Sequence, residues 1–225
     1  MPRKRVLLFD VNETLLDLAA LDPHFARVFG DARVRREWFA TMLQSAFLLT
    51  ITGPYQPFGA HFREALRLVA RRHNATLTSA DEQAILQGVR TLPPHADARP
   101  ALERLRAAGF RLAAFTNSTR EVEEAQLEHA GLRQLFDSAL TADDARALKP
   151  ARQAYDAAAR AMGVAVSDTR LIAAHTWDVA GALSAGAAAA FVARPGVEWN
   201  ELVPRPDVWG NDLDHVAAQI MERDR

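Results

Sequence analysis

The chain has 225 residues, of which 49% are hydrophobic and 24% charged, a composition that excludes collagen-like, low-complexity and largely disordered proteins. It has no cysteine, which excludes disulfides, thiol nucleophiles and cysteine-ligated zinc. With 27 Lys and Arg against 28 Asp and Glu, the net charge of -1 gives no field that favours nucleic acid or an anionic membrane, so we expect a small molecule as the partner.

The N-terminus predicts neither secretion nor membrane insertion. Its basic residues precede an apolar run, Val6–Phe9, that Asp10 ends too early for the core of a signal peptide. The longest apolar stretch, residues 179–193, is shorter than the ~18 to 20 apolar residues that a spanning helix needs. We therefore predict a cytoplasmic protein without a membrane span.

Four short apolar runs predict buried strands. They lie at residues 6–9, 112–115, 171–174 and 187–192. Their apolarity is continuous rather than alternating, which is typical of strands that are covered on both faces. Helical patterns that each end at a glycine separate the later strands, at residues 121–130, 151–162 and 179–185. Strands that alternate with helices indicate a parallel sheet, so the predicted fold class is α/β with a Rossmann-like core.

Residues 15–93 differ from the rest of the chain because they carry long helical patterns and no convincing strand. Helices are predicted there at residues 33–49, 61–72 and 80–90, and two prolines end the region before a helix at 99–108. We therefore predict a core domain of residues 1–14 and 94–225, with a helical cap domain of residues 15–93 inserted after the first strand.

Polar residues near the ends of the predicted strands are the candidate site, because ligands of parallel sheets gather outside the carboxyl ends of the strands. Asp10 follows the first strand, Thr116 and Asn117 follow the second, and Asp178 lies beyond the third. Lys149 is one of only two lysines among 27 basic residues. Each has a plain alternative, as a turn residue, a solvated lysine or a helix N-cap. Their order, Asp, Thr/Asn, Lys and Asp, favours one shared site.

That order resembles the haloacid dehalogenase superfamily of hydrolases. The resemblance covers nearly the whole chain and includes the helical insertion, where the family has its cap. It implies that Asp10 is a nucleophile and that Thr116 and Asn117 bind the anionic group or leaving group of the substrate. It also implies that Lys149 lies beside Asp10 and holds it ionised, because the compact charge of an ammonium suits a tight site better than the planar arginine fork.

Within the superfamily, the chain is more similar to the type II enzymes, the L-2-haloacid dehalogenases. The residues that carry this closer resemblance are Thr14, Tyr155, Trp177 and Asp178. The implied activity is displacement of halide from a small 2-haloalkanoic acid. Tyr155 is expected near Lys149 and Asp10 in this interpretation, and its alternative is an aromatic residue that packs a helix on the sheet.

The resemblance implies a covalent mechanism. Asp10 forms an ester with the substrate, and Asp178 then orients or activates the water that attacks the ester carbonyl. Lys149 and the backbone amides around Val11 and Asn12 are expected to stabilise the oxyanion.

Several positions depart from the pattern of the L-2-haloacid dehalogenases. Phe39 aligns with an arginine that assists halide departure, and we expect it to contact the substrate from that position. Asn12 replaces a tyrosine, Ala173 a serine and His175 an asparagine. His175 is expected either as a neutral donor to halide or water or as a hydrogen-bonded structural residue.

Four residues of the insertion are predicted to have structural rather than catalytic roles. Arg35 and Arg36 lie one helical turn before Phe39, and we predict that both are solvated surface residues. Tyr55 and Phe58 are predicted to pack in the core of the cap rather than to line the site.

The leaving group separates two activities of the superfamily. Its phosphatases carry an acid two residues after the nucleophile, which protonates an alkoxide, and they hold magnesium with further carboxylates. Here Asn12 stands at that position, and Ala173 and Ala174 precede His175 without a Gly-Asp pair. Halide leaves without protonation, so we predict dehalogenation with no metal and no cofactor. A phosphatase with an altered metal site and a non-catalytic binding protein on the same fold stay as alternatives, and a homodimer is left open.

Overall fold

The computed structural model describes residues 4–224, and these form a six-stranded parallel sheet. Its strands are β1 (Val6–Phe9), β2 (Leu112–Thr116), β3 (Ser138–Thr141), β4 (Thr169–Ala173), β5 (Ala188–Val192) and β6 (Val208–Gly210). They lie in the order β3-β2-β1-β4-β5-β6, and every neighbouring pair is parallel. The predicted α/β fold class is confirmed.

Helices flank this sheet and form the insertion between β1 and β2. They are α1 (Asp22–Phe29), α2 (Val34–Thr52), α3 (Phe58–Arg72), α4 (Ser79–Arg90), α5 (Ala98–Ala107), α6 (Arg120–His129), α7 (Arg152–Ala161), α8 (Thr176–Ala185) and α9 (Leu213–Arg223). Helices α1 to α4 come directly after β1, and α5 returns the chain to β2. Among residues 4–224, no helix is both long and apolar enough to cross a bilayer.

Two strands and two helices are absent from the sequence-based prediction. Strand β3 begins and ends with polar residues, Ser138 and Thr141, and β6 has only three residues, so neither forms an apolar run. Helix α1 is eight residues long and buries only Phe25 among its side chains, and α9 lies beyond the last predicted strand.

The sheet separates two hydrophobic clusters, which explains the continuous apolarity of its strands. Leu7 and Phe9 of β1 pack into one cluster, whereas Leu8 packs into the other. All four residues of β1 are buried. Successive side chains of a strand point to opposite faces, so a strand that is covered on both sides needs an apolar residue at every position.

The insertion is held together by aromatic packing between α1, α2 and α3. Trp38 lies 5.2 Å from the rings of Phe25 and Phe62, and its indole nitrogen donates a hydrogen bond to the carbonyl of Phe62. Leu16, where the chain enters the insertion, forms an isolated antiparallel β-bridge with Pro94, where the chain leaves it. The division into a core (residues 1–14 and 94–225) and a cap (15–93) stays a prediction.

Candidate active site

The carboxyl ends of the central strands bring the predicted residues together. Asp10 comes directly after β1, and its backbone amide still donates to the carbonyl of Ile172 in β4. Asn117 follows β2, and Lys149 lies beyond β3, the strand that the sequence did not reveal. Asp10, Asn117 and Lys149 therefore lie together at the carboxyl ends of three neighbouring strands.

Lys149 joins the two carboxylates of the site. Its Nζ lies 2.9 Å from Asp10 Oδ1 and 2.6 Å from Asp178 Oδ2, and it also donates to the carbonyl of Phe115 at 3.0 Å. Lys149 is fully buried. Burial alone would lower the pKa of this ammonium, but the charges of Asp10 and Asp178 outweigh that effect and raise it. The two carboxylates therefore favour the charged form of Lys149.

Asp10 is an ionised carboxylate in a buried position. Burial would raise its pKa, but the charge of Lys149, followed by His175 and the hydrogen bond from Thr14, holds that pKa far below the ordinary value. Thr14 Oγ1 donates to Asp10 Oδ2 at 2.7 Å and accepts from the backbone amide of Ala174 at 2.9 Å. Thr14 thus fixes the orientation of the carboxylate against β4.

The side-chain amide of Asn117 holds the backbone of Lys149. Its Oδ1 accepts from the Lys149 amide at 2.7 Å, and its Nδ2 donates to the Lys149 carbonyl at 3.1 Å. Asn117 is predicted to bind the substrate, and in the structure it also positions the lysine. Thr116 lies beside it, and its hydroxyl oxygen accepts from the amide of Ser118, which leaves the hydroxyl hydrogen for another acceptor.

His175 stands between Asp10 and Glu13. Its Nδ1 lies 3.5 Å from Asp10 Oδ2, and its Nε2 lies 2.8 Å from Glu13 Oε2. Burial would lower the pKa of the imidazole, but the nearby carboxylates of Asp10 and Glu13 outweigh it and raise the pKa to about 9. Of the two alternatives for His175, the contacts favour the hydrogen-bonded residue, and the two carboxylates that share the ring favour its charged form.

Two aromatic rings enclose that imidazolium. The ring of Phe39 lies 5.5 Å from the His175 ring, and the indole of Trp177 stacks on it at 5.4 Å with 24° between the planes. His175 Nδ1 is buried and has no hydrogen-bond partner among the described residues. This nitrogen therefore faces Asp10 Oδ2 without a close hydrogen bond.

Arg35 extends the network into α2, so the prediction that it is a solvated surface residue is wrong. Its side chain is 7% exposed, pairs with Asp22 and lies 3.5 Å from Glu13 Oε1. Arg36 is exposed, as predicted. Glu13 is not among the predicted site residues, although it lies in the loop between Asp10 and Thr14. Its backbone is left-handed, with φ of 62°, and this unusual conformation is not visible in the sequence.

Asp178 and Tyr155 lie behind Lys149. Both are fully buried, and the Tyr155 hydroxyl donates to Asp178 Oδ1 at 2.6 Å while Lys149 donates to Oδ2. Neither residue lines the cavity beside Asp10. Tyr155 is predicted near Lys149 and Asp10 as a substrate-binding residue; it lies behind Lys149, but its hydroxyl is bound to Asp178 and does not line the cavity, so the substrate-binding role is corrected. The side chain of Val11 is buried in the core, which leaves its backbone amide for the predicted role.

A small cavity of about 20 Å³ opens beside the nucleophile. Its lining residues come from both the sheet edge and the insertion, and they are Asp10, Asn12, Phe39, Leu43, Phe58, Thr116, Asn117, Lys149, His175 and Trp177. The predicted residues Asn12, Phe39 and Trp177 thus lie at the site. Phe58 lines it as well, contrary to expectation, whereas Tyr55 lines a different cavity and contacts Asp143.

The donor set does not fit the magnesium ion that phosphatases of this fold class use. Both oxygens of Asp178 accept hydrogen bonds, from Lys149 and Tyr155, and the ammonium fills the space between Asp178 and Asp10. Asn12 is held by Gln126 at 2.9 Å and contributes an amide rather than a carboxylate. Across the part of the chain that the structure describes, no cluster of three His, Asp or Glu side chains is arranged for a metal ion.

The chain is similar to known hydrolases over most of its length. A family model described as haloacid dehalogenase-like hydrolase matches residues 4–186. The (S)-2-haloacid dehalogenase H-109 of Pseudomonas putida is 24% identical over 219 residues, which are 96% of this chain and 97% of that protein. The haloacetate dehalogenase H-2 of Moraxella sp. (strain B) is 26% identical over 222 residues, which are 98% of this chain and 99% of that protein.

Solved structures agree on the fold. The L-2-haloacid dehalogenase from Xanthobacter autotrophicus matches with a TM-score of 0.91 at 21% identity, over 98% of this chain and 100% of that chain. At that identity the likeness concerns the fold alone. Since the family model covers most of the sequence, and the predicted order of Asp10, Asn117, Lys149 and Asp178 meets at one sheet edge, the chain belongs to the haloacid dehalogenase-like hydrolases.

Proposed function

We propose that this protein is a dehalogenase that displaces halide from C2 of a small (S)-2-haloalkanoic acid and releases the 2-hydroxy acid. The observation that carries the proposal is the pairing of a buried, ionised Asp10 with Lys149, beside Asn12 rather than an acid. A leaving group that departs without a proton suits this arrangement. The names of the relatives from Pseudomonas putida and Moraxella support the same chemistry.

In the first half-reaction, a carboxylate oxygen of Asp10 attacks C2 of the substrate. The bond between C2 and the halogen breaks, the halide leaves with the electron pair, and an ester joins Asp10 to C2. Thr14 and Lys149 hold the carboxylate in place for this attack. The small cavity excludes most water, which would otherwise weaken the nucleophile by solvating its charge.

The second half-reaction needs a base for the water that attacks the ester carbonyl, and His175 has the position for it. Asp178, the predicted candidate, has both oxygens engaged and lies outside the cavity. Once Asp10 is an ester, it no longer carries a charge, and one of the two anions that raise the pKa of His175 is gone. The imidazolium then loses its proton to solvent, on the side of Glu13, whose side chain is 24% exposed.

Neutral His175 takes a proton from the attacking water, and the oxygen of that water bonds to the Asp10 carbonyl carbon. Lys149 and the backbone amides of Val11 and Asn12 stabilise the oxyanion. When the intermediate collapses, the bond from that carbon to the substrate oxygen breaks, and His175 returns the proton to this oxygen. The carboxylic acid of Asp10 then protonates His175, so each turnover releases one halide ion and one proton.

The substrate carboxylate is recognised without the arginine that aligns with Phe39 in related enzymes. Lys149 and His175 supply positive charge to the cavity, and the hydroxyl of Thr116 has a hydrogen to donate. Phe39 instead contributes an apolar ring that covers the imidazolium. We therefore assign the carboxylate to the side of the cavity with His175 and Thr116.

The insertion completes the cavity, which supports its assignment as a cap. Phe39, Leu43 and Phe58 belong to residues 15–93 and face Asp10 of the core. We propose that the cap excludes bulk water while the ester is present. A cytoplasmic location and a homodimer stay predictions.

The proposed function is tested by halide release from a substrate panel. Purified protein is incubated with (S)-2-chloropropanoate, (S)-2-bromopropanoate and a general phosphoester, each with and without EDTA, and both halide and phosphate are measured. We expect halide release that EDTA does not change, and no release in the Asp10→Asn variant, because an amide is a poor nucleophile. Circular dichroism checks that this variant is folded.

Two results would overturn the proposal. Phosphate release that EDTA abolishes and magnesium restores would identify a phosphatase. Failure to release halide from any 2-haloacid, together with reversible binding of the acids, would identify a binding protein on the same fold.

A further inference from the structure

Glu13 presents its carboxylate to the ring of His175 from a backbone that is fixed at both of its polar groups. Its amide donates to the carbonyl of Leu16 at 2.8 Å, and its own carbonyl accepts from Nε2 of His95 at 3.2 Å. With φ of 62°, Glu13 lies in the left-handed region, which residues other than glycine seldom adopt unless their surroundings hold them there. The fold therefore holds this carboxylate beside a ring 162 positions away in the chain.

The two nitrogens of His175 face different carboxylates. Nε2 lies 2.8 Å from Glu13 Oε2, within hydrogen-bond distance, whereas Nδ1 lies 3.5 Å from Asp10 Oδ2. Asp10 loses its charge when it becomes an ester, but Glu13 keeps its own. In the ester, the hydrogen of a neutral ring is therefore favoured on Nε2, where an anion accepts it, whichever proton left first. The lone pair is then on Nδ1, the nitrogen that faces Asp10.

The second oxygen of Glu13 faces the insertion. Arg35 of α2 lies 3.5 Å from Glu13 Oε1, and its guanidinium is also paired with Asp22. Because the side chain of Arg35 is 7% exposed, solvent screens this pair much less than a surface ion pair. Burial would raise the pKa of Glu13, but His175 and Arg35 hold it below its ordinary value. Glu13 is therefore an anion with one oxygen toward each of two cations.

We infer that Glu13 is a positioning residue for the second half-reaction, which holds the ring of His175 with Nδ1 toward Asp10, and that Arg35 holds Glu13 in place. The inference rests on the proposed dehalogenation with His175 as the base. When Nδ1 takes a proton from the attacking water, the ring becomes positive, and the carboxylate of Glu13 stabilises that charge. Glu13 does not line the small cavity beside Asp10, so it has no part in the first half-reaction.

The first test separates the two half-reactions in Glu13→Gln, which keeps an acceptor beside Nε2 and removes the charge. With (S)-2-bromopropanoate, rapid mixing measures the first halide released, and chemical quench with intact-mass spectrometry follows the adduct on Asp10. On the high-pH plateau, where the ring is neutral in both proteins, we expect ester formation within about threefold of wild type and ester hydrolysis at least about tenfold slower. Circular dichroism checks that the variant is folded.

Glu198→Gln is the matched control for this test. Glu198 is exposed and lines a cavity of about 290 Å³ that Glu13 and Arg35 also line, so the variant removes a carboxylate from the same surroundings. It should change neither half-reaction. Hydrolysis at the wild-type rate in Glu13→Gln, or formation and hydrolysis slowed alike, would overturn the inference while halide release leaves the proposed function intact. No halide from any 2-haloacid with the wild-type protein would overturn the proposed function itself.

A pH profile tests whether Glu13 acts through the ring. Hydrolysis of the ester needs neutral His175, so its rate rises with pH through the pKa that the ring has in the ester. A carboxylate in contact with the ring raises that pKa, so we expect the midpoint of the rise to lie at least about one pH unit lower in Glu13→Gln than in wild type. Lys149 and Arg35, the next charges on either side, are the same in both proteins. An unchanged midpoint would overturn the inference.

A double-mutant cycle tests whether Arg35 acts through Glu13. Arg35→Met should slow ester hydrolysis at least about threefold in the wild-type background and by less than about 1.5-fold in the Glu13→Gln background. Arg36→Met, at the next and exposed residue of α2, is the control and should have no effect in either. Arg35→Gln replaces Arg35→Met if that variant does not fold. Equal slowing in both backgrounds would overturn the assignment of Arg35.

Discussion

The ammonium of Lys149 lies 2.9 Å from Asp10 Oδ1, at a position with no exposure to solvent. It is the second member of an alternating row of six charges that runs from Asp178 through Lys149, Asp10, His175 and Glu13 to Arg35. Each member in this row has an oppositely charged neighbour within 3.5 Å. The row links the core to α2.

Replacing Lys149 tests whether a point charge is needed beside Asp10. Lys149→Met leaves two buried carboxylates without their cation, which destabilises the protein by about 3 to 5 kcal/mol and abolishes the chemical step. Lys149→Arg keeps the charge, but its larger planar fork does not fit the buried space, so we expect a loss of at least about a hundredfold in single-turnover halide release.

Lys4, the other lysine of the chain, provides the control, because it is exposed. Lys4→Met should change neither halide release nor the melting temperature by much. If Lys149→Arg were as fast as the wild type, the argument for a compact charge at this position would be wrong.

Replacing His175 tests its role as the base. In His175→Gln the ester should still form but hydrolyse about 10² to 10⁴ times more slowly. Rapid mixing should then show a burst of one halide per protein, and intact-mass spectrometry should show an adduct on Asp10. His215→Gln, at an exposed histidine, is the matched control. Slow halide release without an adduct would instead place His175 in the first half-reaction.

The raised pKa of His175 predicts a pH dependence of stability. Its folded-state pKa of about 9 exceeds the ordinary value near 6.5, so the ion pairs with Asp10 and Glu13 contribute fully below about pH 6.5 and are lost as the pH rises through about 9. The difference in unfolding free energy between wild type and His175→Gln should therefore shrink between these values. Urea unfolding at about pH 6 and pH 9.5 measures it, and a difference that grows with pH would contradict the assignment.

The buried hydroxyl of Tyr155 is predicted to act through Asp178 and not on the substrate. Tyr155→Phe removes the donor to a buried carboxylate oxygen, which costs about 1 to 3 kcal/mol of stability. We expect kcat to fall with little change in KM. Tyr55→Phe is the control, because Tyr55 also contacts an aspartate, Asp143, but lies outside the Asp10 cavity. A large rise in KM in Tyr155→Phe would return this residue to the substrate-binding side.

The sequence predicts the parts of the fold that rest on strong local patterns. Strands β1, β2, β4 and β5 each contain an apolar run because both faces of the sheet are covered, although β4 begins with Thr169 and Arg170. Strand β3 escapes prediction because Ser138 and Leu140 are only partly buried at the sheet edge, where water satisfies a polar side chain.

In the candidate site, too, residues marked by a local sequence pattern are predictable and those that depend on tertiary packing are not. Asp10 and Lys149 are predictable because a strand end and a rare residue type mark them. The charge of His175 is not, because it depends on Glu13, whose left-handed backbone turns its carboxylate toward a ring 162 positions away in the chain. Arginine is a residue type that usually lies on the surface. Arg35 is buried here because α2 packs over the loop that holds Glu13.

The covalent role of Asp10 is tested most directly by a single turnover in water labelled with ¹⁸O, with protein in excess over 2-bromopropanoate. Water attacks the ester carbonyl in this mechanism, so we expect the label in the carboxylate of Asp10, seen by mass spectrometry of the peptide that contains it, and an unlabelled hydroxyl in the product. Label in the product hydroxyl and none at Asp10 would mean that water displaces the halide directly, and would contradict the mechanism.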